Sequence, residues 1–449
     1  MAGLPLASPR RVLVLGGGGR EHALAWKLAA EPGIDEVIVT PGSGAIGEVP
    51  GVRVIRDVDP LDGAAVVEAA RSAAAELVIV GPEAPLAMGI ADALDAAGIP
   101  VFGPTRAAAR LETSKAFCHG VAEAAGVPMA RARAFTGGEV DAALDWLRAL
   151  DADGAGAVLK ADGLAAGKGV IVTTSLEQAM ELAPSFLAGR STGELALVIE
   201  ERLEGPEASV IAICDGERAI ALPPARDHKR LCDADLGPNT GGMGAYSPLP
   251  DLGDREAERI LDTVHRPLLA EMARRSTPFR GFLYAGLILT REGPRLLECN
   301  VRLGDPEAQV ILPRVTADLA ALLLAAAAGR LPDDAPGVIA ASPDASVGIV
   351  LAAEGYPGEP RRGDSIEGIE RAVAAGALVF HAGSVHRPGG GFGTNGGRVL
   401  TVVGRGASLA AARQAAERVA DAISWDGLQR RHDIATDLPE PAVLVGAAR

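Results

Sequence analysis

The sequence predicts a multidomain protein of α/β and α+β class: an N-terminal open parallel sheet, a core of two α+β subdomains, and a C-terminal mixed α/β domain. Its 449 residues allow about three domains. Over the first hundred residues, short β-branched runs alternate with alanine-rich helical stretches, the pattern of a parallel sheet covered by helices on both faces. Beyond residue 114 strands dominate, and an acidic, proline-containing linker at 331–336 precedes a last run of strands and a helix.

Taken in order, strands are expected at 11–15, 36–39, 77–80 and 100–102, with helices at 22–30, 63–75 and 87–97. Glycine-rich turns follow the first strand and Val80, at carboxyl ends of strands where open α/β sheets bind ligands. A helix at 115–125, a break at 126–128, strands at 157–160, 169–172 and 196–200, and a helix at 176–187 form a small α+β unit. Strands at 210–214, 219–222, 282–289 and 295–299 read as a larger antiparallel sheet, with helices at 256–274 and 306–328. The glycine-rich stretch 226–246 reads as a long loop. The last unit carries strands at 345–351, 377–381 and 398–404 and a helix at 409–422.

Lys and Arg total 43 against 58 Asp and Glu, a net charge of −15, and a surface this acidic argues against nucleic acid as a partner. The longest apolar stretch, 319–328, falls short of the roughly 18–20 residues a bilayer requires, so no membrane partner is expected. The N-terminus carries no signal-peptide pattern, and Cys118, Cys214, Cys232 and Cys299 have no metal or disulfide spacing, which points to the cytoplasm. Only five lysines occur, Lys27, Lys115, Lys160, Lys168 and Lys229, in a chain that otherwise uses arginine. A lysine that persists hints at a need for a compact ammonium.

Four segments carry chemistry. GGGGREHA, 16–23, joins strand to helix, where glycines let backbone N–H groups approach an anion and Arg20 offers a bidentate partner. A dinucleotide fingerprint fails there: Glu21 stands at the third glycine, and no carboxylate ends the next strand. A tight turn without ligand is the alternative. LKADGLAAGKGV, 159–170, is a glycine-rich loop between two strands; with Lys160 and Lys168 it can close over a triphosphate, or be a plain hairpin. Glu298 and Asn300, two apart on a strand, project from one face and suit Mg²⁺, although Asn at a strand end also forms turns. The stretch 226–246 sets Asp227, His228, Lys229 and Arg230 beside glycines, charges able to hold a small zwitterion.

Together, GGGGREHALAWK, VGPEAPL, FGP, SKAF, KADGLAAGKGV, IEERLEGPEAS, DHKR, GPNTGGMGAYSP, GFLYAGL, NVRLGDPE, HAG and TNGGRVL resemble the phosphoribosylamine–glycine ligase family of the ATP-grasp superfamily, over nearly the whole chain. The resemblance implies a pre-ATP-grasp domain at 11–113, a central ATP-grasp subdomain at 114–128 and 205–335, a lid subdomain at 129–204, and a C-terminal domain at 336–437. It implies ligation of glycine to 5-phosphoribosylamine with ATP, through a glycyl phosphate, in purine biosynthesis. ATP and Mg²⁺ or Mn²⁺ are the expected cofactors, and a cytoplasmic monomer is expected.

By the same resemblance, Lys115 and Lys160 contact ATP phosphates under a loop containing Gly163, Gly167, Lys168 and Gly169. Glu200, Glu201 and Leu203 form the adenine hinge, Glu207 meets the ribose, and Glu298 and Asn300 hold metal. Gly18, Gly19, Arg20, Glu21 and Glu83 hold phosphoribosylamine, while Asp227, Asn239, Gly241, Gly242, Arg302 and Asp305 line the substrate junction, with Asp227, Arg302 and Lys160 catalytic. The chain departs from the family at Gly17, where Asn is frequent, at PGSGAIG, 41–47, in place of a PGNAG-like turn, and at ECN, 298–300, where EFN or EIN is common. Rival readings are a formate- or bicarbonate-using relative, disfavoured by DHKR and GPNTGGMGAY; an NAD-dependent oxidoreductase, disfavoured by the missing acidic residue; and a non-catalytic nucleotide-binding protein, disfavoured by Lys160, Glu298 and Asn300.

Overall fold

The computed structural model describes residues 6–150, 156–164, 169–188, 195–436 and 438. The N-terminal sheet is parallel and five-stranded, in the order Val52–Val54, Glu36–Pro41, Arg11–Gly16, Leu77–Val80, Val101–Phe102. Its central strand is buried on both faces, which is why it reads as a continuous apolar run. The strand at Val52–Val54 escaped the sequence reading because it is only three residues long. Strands are added outward from Arg11–Gly16 first to one side and then, from Leu77–Val80, to the other, so the turns at Gly16 and Gly81 sit at the topological switch point.

The central sheet is antiparallel, ordered Ala219–Ala221, Glu207–Asp215, Arg280–Thr290, Gly293–Asn300. Leu319–Ala327, apolar around its whole circumference, packs between this sheet and the strand Val101–Phe102. Its first turn is capped from the N-terminal unit: Glu31 accepts from the backbone N–H of Leu319 (3.0 Å) and Ala320 (2.8 Å) and pairs with Lys27 at 2.6 Å. Lys27 is thereby explained as structural.

A second, smaller sheet runs Ala132–Thr136, Leu195–Glu201, Ala157–Ala161, Val170–Val172, with Val140–Leu150 and Leu176–Leu187 packed on it. Ala143, Leu147 and Leu150 recur at helical spacing and meet Phe135, Leu159 and Ile199 in a core separate from those of the other sheets.

Three expectations are corrected. The helix expected at 306–328 is broken into Glu307–Ile311, the tight turn Leu312–Arg314 and Leu319–Ala327, because Pro313 lacks an N–H and Asp318 caps a new start by accepting from Ala321 N–H at 3.0 Å. The helix expected at 87–97 is two, Glu83–Met88 and Ile90–Ala96, parted at Gly89 with φ +89°. The stretch 226–246 is not a plain loop. Arg226–Asp227 and Gly244–Ser247 are strands of the C-terminal sheet, in the order Arg226–Asp227, Gly244–Ser247, Ala345–Ala352, Arg398–Gly406, Leu378–His381, and Arg230–Cys232 pairs with Leu236–Asn239 as a ribbon.

Candidate active site

At the switch point, Gly18 N–H donates to the Glu21 carboxylate at 2.6 Å, closing the first turn of the helix Gly19–Ala29. Glu21 is buried where a Cβ on Gly16 would lie 2.6 Å from its Cγ and one on Gly81 would lie 2.2 Å from its Oε1. The carboxylate that breaks the dinucleotide fingerprint therefore fills the space those glycines leave open. Burial pushes its pKa up to about 7, with Arg20 opposing and Asp305 adding to the rise.

Arg20 lies among three carboxylates, Asp305 at 3.6 Å, Glu83 at 3.7 Å and Glu21 at 3.8 Å, and donates to the Leu303 carbonyl at 3.0 Å. Arg302 meets Glu112 at 3.0 Å and Glu83 at 3.4 Å, and donates to Asn300 Oδ1 at 3.1 Å. Glu83 thus bridges two guanidiniums: burial raises its pKa, but Arg20 and Arg302 outweigh it and hold the group below its ordinary range. Asp305 accepts from Gln309 at 2.8 Å and pairs with Arg398 at 3.5 Å. A Cβ on Gly19 would meet Gln309 Nε2 at 2.5 Å, so this glycine is needed for close approach. Arg398 also donates to the Gly241 and Asp305 carbonyls, and Gly241 N–H donates to Tyr356 Oη at 2.9 Å. Gly242, with φ +112°, faces Pro306, where a Cβ would sit 2.5 Å from the ring. Asn239 stands opposite Arg230 on the ribbon, and its side chain has no hydrogen-bond partner among the described residues.

Lys160 reaches from the smaller sheet to the Leu297 carbonyl at 2.8 Å and to Glu200 at 2.8 Å. Glu200 is buried and also bonds His119 at 2.8 Å; burial raises its pKa, but Lys160 and His119 outweigh burial and keep it below the usual range. Lys115, at the start of the helix Lys115–Ala124, donates to the Gly163 carbonyl at 2.6 Å. Gly169 accepts from Ala161 N–H at 2.7 Å. Gly167 and Lys168 lie outside the described residues. Glu201 bonds Arg131 at 2.6 Å, Leu203 follows the strand Leu195–Glu201 half-buried, and Glu207 pairs with Lys229 at 2.6 Å.

Glu298 and Asn300 share a face of the strand Gly293–Asn300, with Asn300 Nδ2 3.3 Å from Glu298 Oε1. Burial raises the Glu298 pKa, but Lys229 and Lys160 outweigh it and keep the carboxylate ionised. A hard dication takes oxygen donors, so Asn300 would serve beside Glu298 with its amide turned over to present Oδ1, which requires Arg302 to release that oxygen. With that rotation the pair fits Mg²⁺, which typically takes one or two protein oxygens and the rest from phosphates. Among the described residues no three His, Cys, Asp or Glu side chains form a self-contained metal cage. Asp227 is pushed up to about 7 by burial, with Lys229 lowering it and Glu307, Glu207 and Glu298 adding to the rise. Glu307 is buried and accepts from Tyr284 at 2.9 Å and Ser209 at 3.3 Å.

The sequence reading set Lys229 beside Asp227 and Glu307 beside the oxygen pair, but did not place Glu112, His119 or Arg398 in the site, and nothing local marks these three.

Comparison with known proteins agrees with this architecture. Family models match the phosphoribosylglycinamide synthetase N domain at residues 10–112, its ATP-grasp (A) domain at 113–308 and its C domain at 346–437. The phosphoribosylamine–glycine ligase of Streptomyces coelicolor is 49% identical over 95% of this chain and 98% of its own. The crystal structure of the Thermotoga maritima phosphoribosylamine–glycine ligase superposes with a TM-score of 0.79 at 32% identity, covering 95% of this chain and 100% of that one. The biotin carboxylase domain of Hydrogenobacter thermophilus 2-oxoglutarate carboxylase, in complex with MgADP, shares the fold at 18% identity, with a TM-score of 0.68 over 94% of this chain and 92% of that one. With all three domain models matched in order along one chain, this protein belongs to the phosphoribosylglycinamide synthetase family.

Proposed function

We propose that this chain ligates glycine to 5-phosphoribosylamine with cleavage of ATP, giving glycinamide ribonucleotide, ADP and phosphate through a glycyl phosphate, in purine biosynthesis. The observation that carries the reading is the reach of Lys160 across to the strand bearing Glu298 and Asn300, which sets a phosphate-binding cation beside a pair of oxygen donors. Mg²⁺, when bound, neutralises phosphate charge and orients the γ-phosphoryl group; the same oxygen pair admits Mn²⁺.

The protein's own part is positioning and charge. Lys160 and Lys115 balance the triphosphate, and Arg302, held by Glu112 and Glu83, faces the charge that builds as the acyl group is made and broken. The amine loses a proton when it attacks the acyl phosphate. Asp227, poised near neutrality by burial, takes it. Because residues 132–201 have their own core, the smaller sheet can close as a body and keep water from the acyl phosphate. Cys118, Cys214, Cys232 and Cys299 are free thiols, which supports a reducing cytoplasm.

The test is ADP release by purified protein with Mg·ATP. Release that depends on both glycine and phosphoribosylamine supports the reading; equal turnover without glycine ends it.

A further inference from the structure

The largest fully buried side chain among the described residues is an arginine that the chemistry above does not use. Arg431 lies beyond the helix Leu409–Ala422 and is 1% exposed. A buried guanidinium is tolerated only where its N–H groups are matched, and here they are. Nε and Nη2 donate to the two oxygens of Asp433, at 2.6 Å each, as a bidentate pair. Nη1 reaches the ribbon, donating to the Asp235 carboxylate at 2.6 Å and to the Arg230 carbonyl, 201 positions away, at 3.2 Å.

The neighbours of Arg431 repeat the grip. Asp433 accepts from Ala234 N–H at 2.8 Å, and His432 N–H donates to Asp233 at 2.7 Å, so three consecutive residues hold the turn Asp233–Asp235 that closes the ribbon. In that turn Ala234 and Asp235 have φ +57° and +52°, a left-handed conformation that residues other than glycine avoid unless their surroundings impose it. Ile434 is buried against the return strand, where a Cβ on Gly244 would lie 2.7 Å from its Cδ1. The gripping segment is itself fixed: Arg413, on the helix Leu409–Ala422, donates to the carbonyls of His432 at 2.6 Å and Ile434 at 3.1 Å.

What the ribbon carries gives the grip its consequence. Lys229 immediately precedes the held Arg230 carbonyl, and its own carbonyl accepts from the Thr240 N–H at 2.7 Å and hydroxyl at 2.8 Å. Its ammonium pairs with Glu207 at 2.6 Å and acts on Asp227 and Glu298, carboxylates of two further strands. A lysine charge rides on a flexible four-carbon stem, so where it stands depends on a fixed backbone. The ribbon's own ladder is short and its register slips between Arg230 and Cys232. A two-stranded ribbon of that kind is marginal in water without outside support.

We propose that Arg431 is a positioning residue for the ligation: with Asp433 it clamps the ribbon to the C-terminal unit and so keeps Lys229 directed at the carboxylates of the site. The clamp deepens the ligase reading and rests on it for the reaction that slows when the ribbon is let go.

The experiment compares wild type with Arg431→Lys, with the double variant Asp233→Ala/Asp235→Ala and, as control, with Arg53→Ala, whose guanidinium pairs with Glu36 on the outer strand. Lysine keeps a cation on Asp433 but cannot reach the Arg230 carbonyl at the same time. The double variant opens the clamp from the exposed side and leaves Arg431 paired with Asp433, so no buried charge is stranded. In both, the melting temperature is expected to stay close to that of wild type, while amide hydrogen exchange over residues 229–241 speeds up about tenfold or more and the rest of the chain exchanges as before. The kcat for glycine-dependent ADP release should fall about tenfold or more in Arg431→Lys with the KM for ATP unchanged, because Lys115 and Lys160 stand on other elements. In a Lys229→Ala background the same Arg431→Lys change should lower kcat less than about twofold, as expected of a residue that acts through Lys229. Arg53→Ala should change none of these. Exchange over 229–241 that stays at the wild-type rate in both variants, faster exchange with wild-type kcat, or an Arg431→Lys effect equally large without Lys229 overturns the proposal. A wild type without glycine-dependent ADP release refutes the ligase reading instead; hydrogen exchange then still decides the clamp, since faster exchange over 229–241 in Arg431→Lys supports it and unchanged exchange overturns it.

Discussion

Lys160 donates to the carbonyl of Leu297, and Leu297 is the extra residue of a β-bulge. Glu298 pairs with Gly286 and Leu296 with Leu287, so the residue between them has no partner across the sheet. The bulge frees a carbonyl for an ammonium that arrives from a different sheet. Lys160→Ala is expected to lower kcat/KM for ATP roughly 100-fold, and Lys160→Arg to restore only part of it, because a planar guanidinium does not reproduce a compact ammonium between Leu297 and Glu200. Steady-state ADP release checks both.

Glu298 is expected to set the metal requirement. Chelation should abolish turnover and added Mg²⁺ restore it. Glu298→Ala should raise the Mg²⁺ concentration for half-maximal rate about tenfold or more and lower kcat, with an unchanged far-ultraviolet spectrum. Near-normal Mg²⁺ dependence in that variant would remove Glu298 from the metal site.

Glu112 holds two things at once, the Val301 N–H at 2.7 Å and Arg302 at 3.0 Å. Glu112→Ala leaves the buried Val301 N–H without its acceptor and takes from Arg302 the nearer of its two carboxylates, and is expected to cost about 2–4 kcal/mol in urea unfolding. Glu112→Gln keeps an acceptor for Val301 and should cost less, while still loosening Arg302 and lowering kcat.

Asp227 is expected to cost stability at neutral pH. Its folded-state pKa is near 7 against an ordinary 3.8, so the native state binds the extra proton. Below pH 3.8 both states are protonated and there is no penalty; as pH rises through the window to 7 the unfolded chain ionises first and the native state loses ground. Asp227→Asn should therefore stabilise the metal-free protein by about 1–3 kcal/mol at pH 8 and by little at pH 4, while losing activity. Urea midpoints at the two pH values check it.

Buried imidazoles impose the opposite dependence. Burial lowers His22 to about 3, and His265 and His381 to about 4, from an ordinary 6.5, so unfolding takes up protons in acid. Stability should be full above pH 6.5 and fall steadily toward pH 4. His22 accepts from His381 N–H at 2.9 Å, which joins the N-terminal and C-terminal units, so the contact between those units is expected to loosen first. Melting temperature from pH 8 to pH 4 measures the loss.

Local pattern carried the fold a long way. A buried parallel strand must be apolar throughout, so Val12–Leu15 declares itself, and strand pleating alone puts Glu298 and Asn300 on one face. Short strands such as Val52–Val54 and those of the ribbon beyond Asp227 carry too few positions to show a period. The helix expected at 306–328 failed because composition outvoted Pro313 and the cap at Asp318.

By itself the sequence determined the glycine turns, the scarce lysines and the oxygen pair, because each depends on backbone geometry or side-chain chemistry within a few residues. Only tertiary structure decided which charges meet. Arg20 lies on Leu303, 283 positions away, and Glu112 on Val301, 189 positions away. Burial and the sum of charges gathered from three units then raise Glu21 and Asp227 while holding Glu83, Glu200 and Glu298 ionised. Desolvation and Coulomb forces act through space, so no stretch of chain read alone contains them.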